Sequence, residues 1–153
     1  MKATKTLRNE TILSIDAGTQ SIRAAIIDMA GNILHIDKKQ IEPYFSEHPG
    51  WAEQHPDYYW KMLCAACRGV LQKAGRLKIS IVGVALTTQR ATVINVDRNG
   101  KALRPAIVWL DQRMADPTRV IAPAVRTLLK AVGQLEQVDA VAGMCEANWI
   151  RQN

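Results

Sequence analysis

The sequence predicts an α/β fold: a mixed β-sheet that opens with antiparallel hairpins and is flanked by helices. Three observations predict it. Two tight-turn signals, Ala17-Gly18-Thr19-Gln20 and Met29-Ala30-Gly31-Asn32, separate three short apolar stretches. Apolar residues then recur at helical spacing over residues 57–74. After them comes ISIVGVAL at 79–86, almost wholly apolar.

Each element follows in order. Residues 1–10, MKATKTLRNE, read as a polar leader without the apolar stretch of a secretory signal. Residues 11–16 (TILSID) are the first strand, 22–28 the second and 33–41 the third. Two hairpins in succession make an antiparallel meander. A loop rich in proline and aromatic residues covers 43–56. In the helix at 57–74, Tyr59, Met62, Leu63, Cys67, Val70, Leu71 and Ala74 share one stripe. Gly75 is its expected stop. Residues 79–86 suit a central strand buried on both faces. Residues 92–96 and 106–109 read as two more strands, with the turn Asp97-Arg98-Asn99-Gly100 between them. Residues 112–132 have a helical pattern interrupted by Pro117 and Pro123, and Gly133 ends it. Leu128, Leu129, Val132 and Leu135 read as its core face. Residues 137–153 hold one short helix. The last residues, EANWIRQN, break off in what looks like a helix start, so the chain reads as the front part of something longer.

Length and composition bound the function. The chain has 153 residues, enough for one ordinary domain. Its 48% hydrophobic and 22% charged residues exclude a disordered chain. The net charge of +6 favours anionic ligands, but the basic residues form no run that would point to nucleic acid. Three cysteines are too few for a secreted disulfide framework. No stretch approaches the length of a membrane span. A cytoplasmic protein is expected.

The residues at 16–23, DAGTQSIR, sit at a strand-turn-strand corner. Gly18 lets the backbone turn tightly and approach a ligand. Amides of such a turn can form an anion-binding nest. Thr19, Gln20 and Ser21 add neutral donors, and Arg23 adds a charge that forks onto phosphate oxygens. Asp16, at the carboxyl end of its strand, suits a hydrated Mg²⁺. The spacing alone is equally that of a polar hairpin turn. GxxxxGK[ST] and GxGxxG are both missing, which excludes a Walker loop and leaves a Rossmann site without support.

Four segments carry a resemblance. Asp16-x-Gly18-Thr19-x-Ser21-x-Arg23 resembles the first phosphate motif of the FGGY family of carbohydrate kinases. Pro49-Gly50-Trp51-Ala52-Glu53-Gln54-His55-Pro56 is similar to the family's PGWxEQxP loop. Thr87-Thr88-Gln89-Arg90-Ala91-Thr92 resembles its substrate-side loop, and Trp109-Leu110-Asp111-Gln112-Arg113 its WxDxR segment. Four matches in one order are far more specific than any one of them.

The resemblance implies a ribonuclease H-like, actin-like ATPase domain over residues 11–153, incomplete at its C-terminal end, with the second domain absent. It implies transfer of the ATP γ-phosphoryl group to a hydroxyl of a sugar or polyol, with ATP and Mg²⁺ as cofactors. Gly18, Thr19, Gln20, Ser21 and Arg23 would hold the phosphates and Asp16 the Mg²⁺ through water. Gln89 and Arg90 would face the sugar hydroxyls, Trp109 would supply an apolar face for the sugar's C–H side, and Asp111 would accept from a hydroxyl.

The aspartate that serves the family as base would lie beyond residue 153, so no catalytic residue is expected in this chain and the isolated 153 residues should be inactive. The partners implied are the sugar or polyol and the missing C-terminal domain, and a homodimer is left open. Glycerol-using members carry an acid directly after the arginine; Ala91 stands there, which argues against glycerol.

Other readings stand beside these. Arg90 could instead bind a carboxylate at a strand end, and Trp109 could be a core residue. Asp111 could cap a helix beginning near Gln112. Trp51, Glu53 and Gln54 are read as architectural. Cys64 and Cys67 lie mid-helix and read as packing residues rather than a zinc or redox pair. His35, His48 and His55 show no ligand spacing. Two other functions remain: a sugar- or nucleotide-binding module, and a non-kinase actin-like ATPase.

Overall fold

The computed structural model describes residues 9–75 and 77–153. The first eight residues of the expected leader lie outside the described residues, and its last, Glu10, already belongs to a strand. The chain divides into two compact units. One comprises Met1–Tyr44 and Gln54–Ala91, the other Phe45–Glu53 and Thr92–Asn153.

The first unit holds β1 (Glu10–Ala17), β2 (Ser21–Asp28), β3 (Ile33–Gln40), α1 (Pro56–Ala74) and β5 (Ser80–Thr87). The meander is as expected: β1 pairs antiparallel with β2, and β2 with β3. Both turns carry their local signatures. Gly31 has φ +88, where a side chain would be strained, and the Asp28 carboxylate accepts from the Ala30 and Asn32 amides. Gly18 donates to the Ser21 carbonyl at 3.0 Å. A Cβ on Gly18 would meet that carbonyl at 3.1 Å, so the turn needs glycine for space.

α1 starts with Pro56 in its first turn, where the missing N–H costs nothing. Asp57 near its N-terminus and Lys73 in its last turn complement the helix dipole. Its predicted stripe packs on the sheet. Val70 and Ala74 are buried with Ala66, Tyr59, Met62, Leu63 and Cys67 are partly buried against the core, and Leu71 is exposed. The core joins these to Leu13, Ile15, Ile22, Ala24, Ile26 and Ile41. Fully burying Val70 or Ile26 contributes about 1.5–3 kcal/mol each. α1 does end at Gly75, but with φ −61, so no left-handed cap is used.

β5 corrects one expectation. It pairs parallel with β1, and the strand order is β3-β2-β1-β5, which puts β5 at an edge. The register aligns Leu13 with Val84 and Ile15 with Leu86, so these side chains share the face that α1 covers elsewhere. α1 lies over β2 and β3 instead. Val84 is therefore 64% and Leu86 55% exposed.

The second unit includes Glu53 of β4 (Glu53–Gln54), together with β6 (Ala106–Ile107), α2 (Pro123–Ala131), α3 (Leu135–Met144) and α4 (Glu146–Gln152). The strand expected at 92–96 is reduced to single bridges, Val93 with Ile107 and Val96 with Ala102. The 97–100 turn forms as predicted: Gly100 has φ +79, and the Asp97 carboxylate accepts from the Asn99 and Lys101 amides.

The helix expected over 112–132 is broken by its prolines into a 3-10 turn at Pro117–Arg119 and α2. Gly133, at φ +70, ends α2 as expected. Two helices occupy the end of the chain where one was expected, divided at Cys145, whose backbone is extended. The α2 stripe is not core: Leu128 and Val132 are exposed.

Candidate functional site

The parallel pairing of β1 with β5 brings two carboxyl ends side by side. Residues at the end of β1 and in the turn after it then meet residues at the end of β5. Among open α/β sheets, this end is where ligands bind.

Asp16 stands at the tip of β1, opposite Arg23 in the β1–β2 ladder and Thr87 in the β1–β5 ladder. Both neighbours use that register. Arg23 donates from Nη1 to Asp16 Oδ2 at 2.7 Å, and Thr87 donates from Oγ1 to Oδ1 at 2.9 Å. The Asp16 and Arg23 side chains remain 49% and 44% exposed. A carboxylate has about four lone-pair sites, so Asp16 can still accept from waters of a hydrated cation. Arg23 spends one donor of five and keeps the rest for an anion. This donor set fits a Mg²⁺-bound polyphosphate.

The turn itself is more specialised than a simple nest. The Gly18 amide is occupied by Ser21, so Gly18 supplies tightness rather than a donor. Ser21 is buried at the start of β2, whereas Gln20 is exposed and its carbonyl accepts from Ile41. Thr19 is partly exposed.

Gln89 comes from the loop after β5, and its Nε2 donates to the Gly18 carbonyl at 3.1 Å. The Tyr59 hydroxyl from α1 lies near the Gln89 side chain. Burial pushes the Tyr59 hydroxyl above its ordinary pKa, although contact with Gln89 works the other way. The next residues complete the loop. Arg90 is exposed, and Ala91 has φ +52, a left-handed conformation that an alanine adopts only under constraint. Thus Asp16, Gly18, Arg23 and Gln89 converge, with Thr19, Gln20, Ser21 and Arg90 in the same two loops. Thr87 and Tyr59 are the residues that the sequence reading missed as site members. Thr87 stood inside the recognised segment; Tyr59 gave no signal apart from its helical stripe.

Trp109 and Asp111 belong to the second unit. Trp109 is 52% exposed, so it is not a core residue. Asp111 does not cap a helix, because none begins at Gln112. Its carboxylate accepts from the Ala52 amide at 2.7 Å and from Arg113 Nε and Nη2 at 2.7 and 2.6 Å. Burial would raise the Asp111 pKa, but these donors outweigh it and hold the carboxyl below its ordinary value.

Arg113 also pairs with Glu53 at 3.0 Å, and Arg104 donates to Glu53 at 2.5 Å. The Arg113 guanidinium lies 3.9 Å from the Trp51 ring centroid and 4.6 Å from that of Trp149. Trp51 and Glu53 are therefore architectural, as expected. So is Gln54 in the first unit, which donates to the Glu42 carbonyl.

The comparisons with known proteins give the family. The model of the FGGY family of carbohydrate kinases, N-terminal domain, matches residues 11–153. The chain belongs to that family.

Among curated relatives, it is 34% identical over 139 residues to a glycerol kinase of Burkholderia pseudomallei (strain K96243), covering 90% of this chain and 26% of the relative. It is 32% identical over 142 residues to the glycerol kinase of Thermococcus gammatolerans, covering 93% and 28%. Two solved structures extend the likeness. The xylulose kinase of Rhodospirillum rubrum matches with a TM-score of 0.66 and 26% identity, over 79% of this chain and 23% of its own. Plasmodium falciparum glycerol kinase, solved with ADP, matches with a TM-score of 0.60 and 33% identity, over 80% and 23%.

The chain thus spans about a quarter of the length of these relatives. The FGGY neighbours have the actin-like ATPase fold, as the resemblance implied. Among the described residues, no helix is long and apolar enough to cross a membrane.

Proposed function

We propose that this chain is the N-terminal part of an ATP-dependent carbohydrate kinase, acting in the cytoplasm on a sugar or polyol. The observation that supports it most is the clamp between the 18–21 turn and the 88–91 loop at adjacent strand ends. In this reading Gly18, Thr19, Gln20, Ser21 and Arg23 form the phosphate side. Arg90 and Gln89 belong to the acceptor side; Trp109 and Asp111, which lie in the second unit, are the further acceptor residues that the resemblance implies. Asp16 would hold Mg²⁺ through water, and the ion would offset charge on the transferring phosphoryl group.

These residues bind and orient; phosphoryl transfer needs little more than alignment and charge stabilisation from the protein. Arg23 fixes the phosphates by charge and leaves the acceptor free to be set by Arg90. The base for the hydroxyl proton and the adenosine pocket are assigned to chain beyond residue 153, and a homodimer is part of the proposal. The curated relatives named here are glycerol kinases, whereas Ala91 separates this chain from glycerol-using members, so the acceptor is proposed to be a sugar or a different polyol.

The test is ATP-coupled turnover by the full-length protein, with glycerol and xylulose among the acceptors. Asp16→Ala is expected to abolish turnover. Arg90→Ala is expected to raise the KM for the acceptor at least tenfold more than that for ATP. Unchanged acceptor kinetics in Arg90→Ala would show that the acceptor loop is misassigned. The isolated 153-residue chain is expected to form no acceptor-dependent ADP.

A further inference from the structure

We propose that Gln89 is a positioning residue that braces the phosphate turn from the acceptor loop. The proposal rests on the kinase reading above, which places phosphates at the 18–21 turn. By sequence Gln89 sits among residues expected to face sugar hydroxyls. Its side chain does something else: the amide donates across to the Gly18 carbonyl at 3.1 Å. That bond joins residues 71 apart, and it does so at the residue whose steric needs define the turn.

Gly18 is held from two directions. Its amide is fixed by Ser21 within the hairpin, and its carbonyl by Gln89 from the loop after β5. A second tie runs parallel to the first, from Thr87 to Asp16 at 2.9 Å. Between these ties and the left-handed Ala91, the acceptor loop has little freedom. Arg90, exposed at its tip, is left to meet a ligand.

Two consequences separate this role from sugar contact. Removing the amide should loosen the turn and weaken nucleotide binding even with no acceptor present. It should also weaken any effect of bound acceptor on nucleotide affinity, because the brace connects the two loops.

The experiment uses the full-length protein and a non-hydrolysable ATP analogue with Mg²⁺. Binding is measured by calorimetry without acceptor for wild type, Gln89→Ala, Gln89→Met and Arg23→Ala. Gln89→Ala is expected to raise the analogue Kd about five- to tenfold. Gln89→Met, of similar size and neutral but with no donor, is expected to lose about as much, which separates the bond from the bulk. Should Gln89→Ala fail to fold, Gln89→Met alone decides.

An analogue Kd within twofold of wild type for the folded Gln89 variants overturns the proposal, provided Arg23→Ala weakens binding. If Arg23→Ala is also without effect, the assignment of the turn to phosphate fails, and the brace falls with it.

Discussion

Arg113 is surrounded by two carboxylates and two indole rings, and its side chain is only 2% exposed. Each contact serves a different need. Asp111 takes the fork of the guanidinium, Glu53 adds a second negative charge, and the rings of Trp51 and Trp149 cover its faces. Removing one partner of a buried pair leaves the other charged and unpaired, which costs about 3–5 kcal/mol. Arg113→Ala is expected to destabilise the protein by that amount in denaturant unfolding. Arg113→Lys should recover part of it, since lysine keeps the charge and loses the fork.

The same pair has a pH signature. The folded Asp111 pKa lies below its unfolded value of about 3.9. Its stabilisation is thus complete above that value and is lost as the pH falls toward the folded pKa. Asp111→Asn is expected to flatten the acid limb of stability below about pH 4, read from melting temperature against pH.

Very little of this cluster was legible. The sequence shows Asp111 two residues before Arg113, but the Ala52 amide that completes its bonding lies 59 residues away. With that partner hidden, helix capping was a sound reading of an aspartate followed by a helical pattern. At the β1–β2 corner the outcome differs: that Asp16, Gly18 and Arg23 meet there was readable because a strand-turn-strand corner is local.

At the scale of elements, α1 and β3 are joined by a charge cluster. The Asp37 carboxylate pairs with Lys39 at 2.8 Å and Lys73 at 2.6 Å, and both keep its pKa below the ordinary value. Gly69 of α1 faces the same carboxylate, and a Cβ there would lie 2.2 Å from Asp37 Oδ2. Two lysines restrain the aspartate, so it cannot simply swing away. Gly69→Ala is expected to cost about 1–3 kcal/mol by overpacking. In an Asp37→Ala background the same substitution should cost clearly less, which a double-mutant cycle measures.

The elements that were legible are those set by local chemistry: the two hairpin turns, the α1 stripe, and the glycine ends at Gly100 and Gly133. Pro117 and Pro123 were noticed as interruptions, yet a helix was drawn through them, and the backbone follows the prolines. The break at Cys145 has no proline to announce it, and the nearby Gly143 stays inside α3.

For the whole molecule, the placement of β5 matters most. Its composition was read as that of a buried central strand, and strand order is a non-local property that composition does not supply. Val84 and Leu86 point to the α1 side of the sheet but beyond the reach of α1. An apolar edge strand of this kind pairs readily with other chains.

The isolated 153-residue chain is therefore expected to self-associate. Val84→Lys with Leu86→Lys should shift it toward monomer in sedimentation velocity. In the full-length kinase proposed here, the same two lysines are expected to destabilise the fold if further chain packs on that face. A full-length protein unaffected by them would show that β5 stays open to solvent.

The pairing of β1 also sets an order of events during synthesis. One side of β1 finds its partner within the next dozen residues, whereas the other waits until α1 has passed and β5 is made. The hairpins and α1 can collapse while one lip of the sheet is still vacant. Thr87 and Gln89, which hold Asp16 and Gly18, emerge from the ribosome at the end of that wait. Within the first unit, the corner proposed for phosphate is then the last part to be assembled, so a nascent chain stalled before residue 80 would carry a formed hairpin without the Thr87 and Gln89 contacts to Asp16 and Gly18.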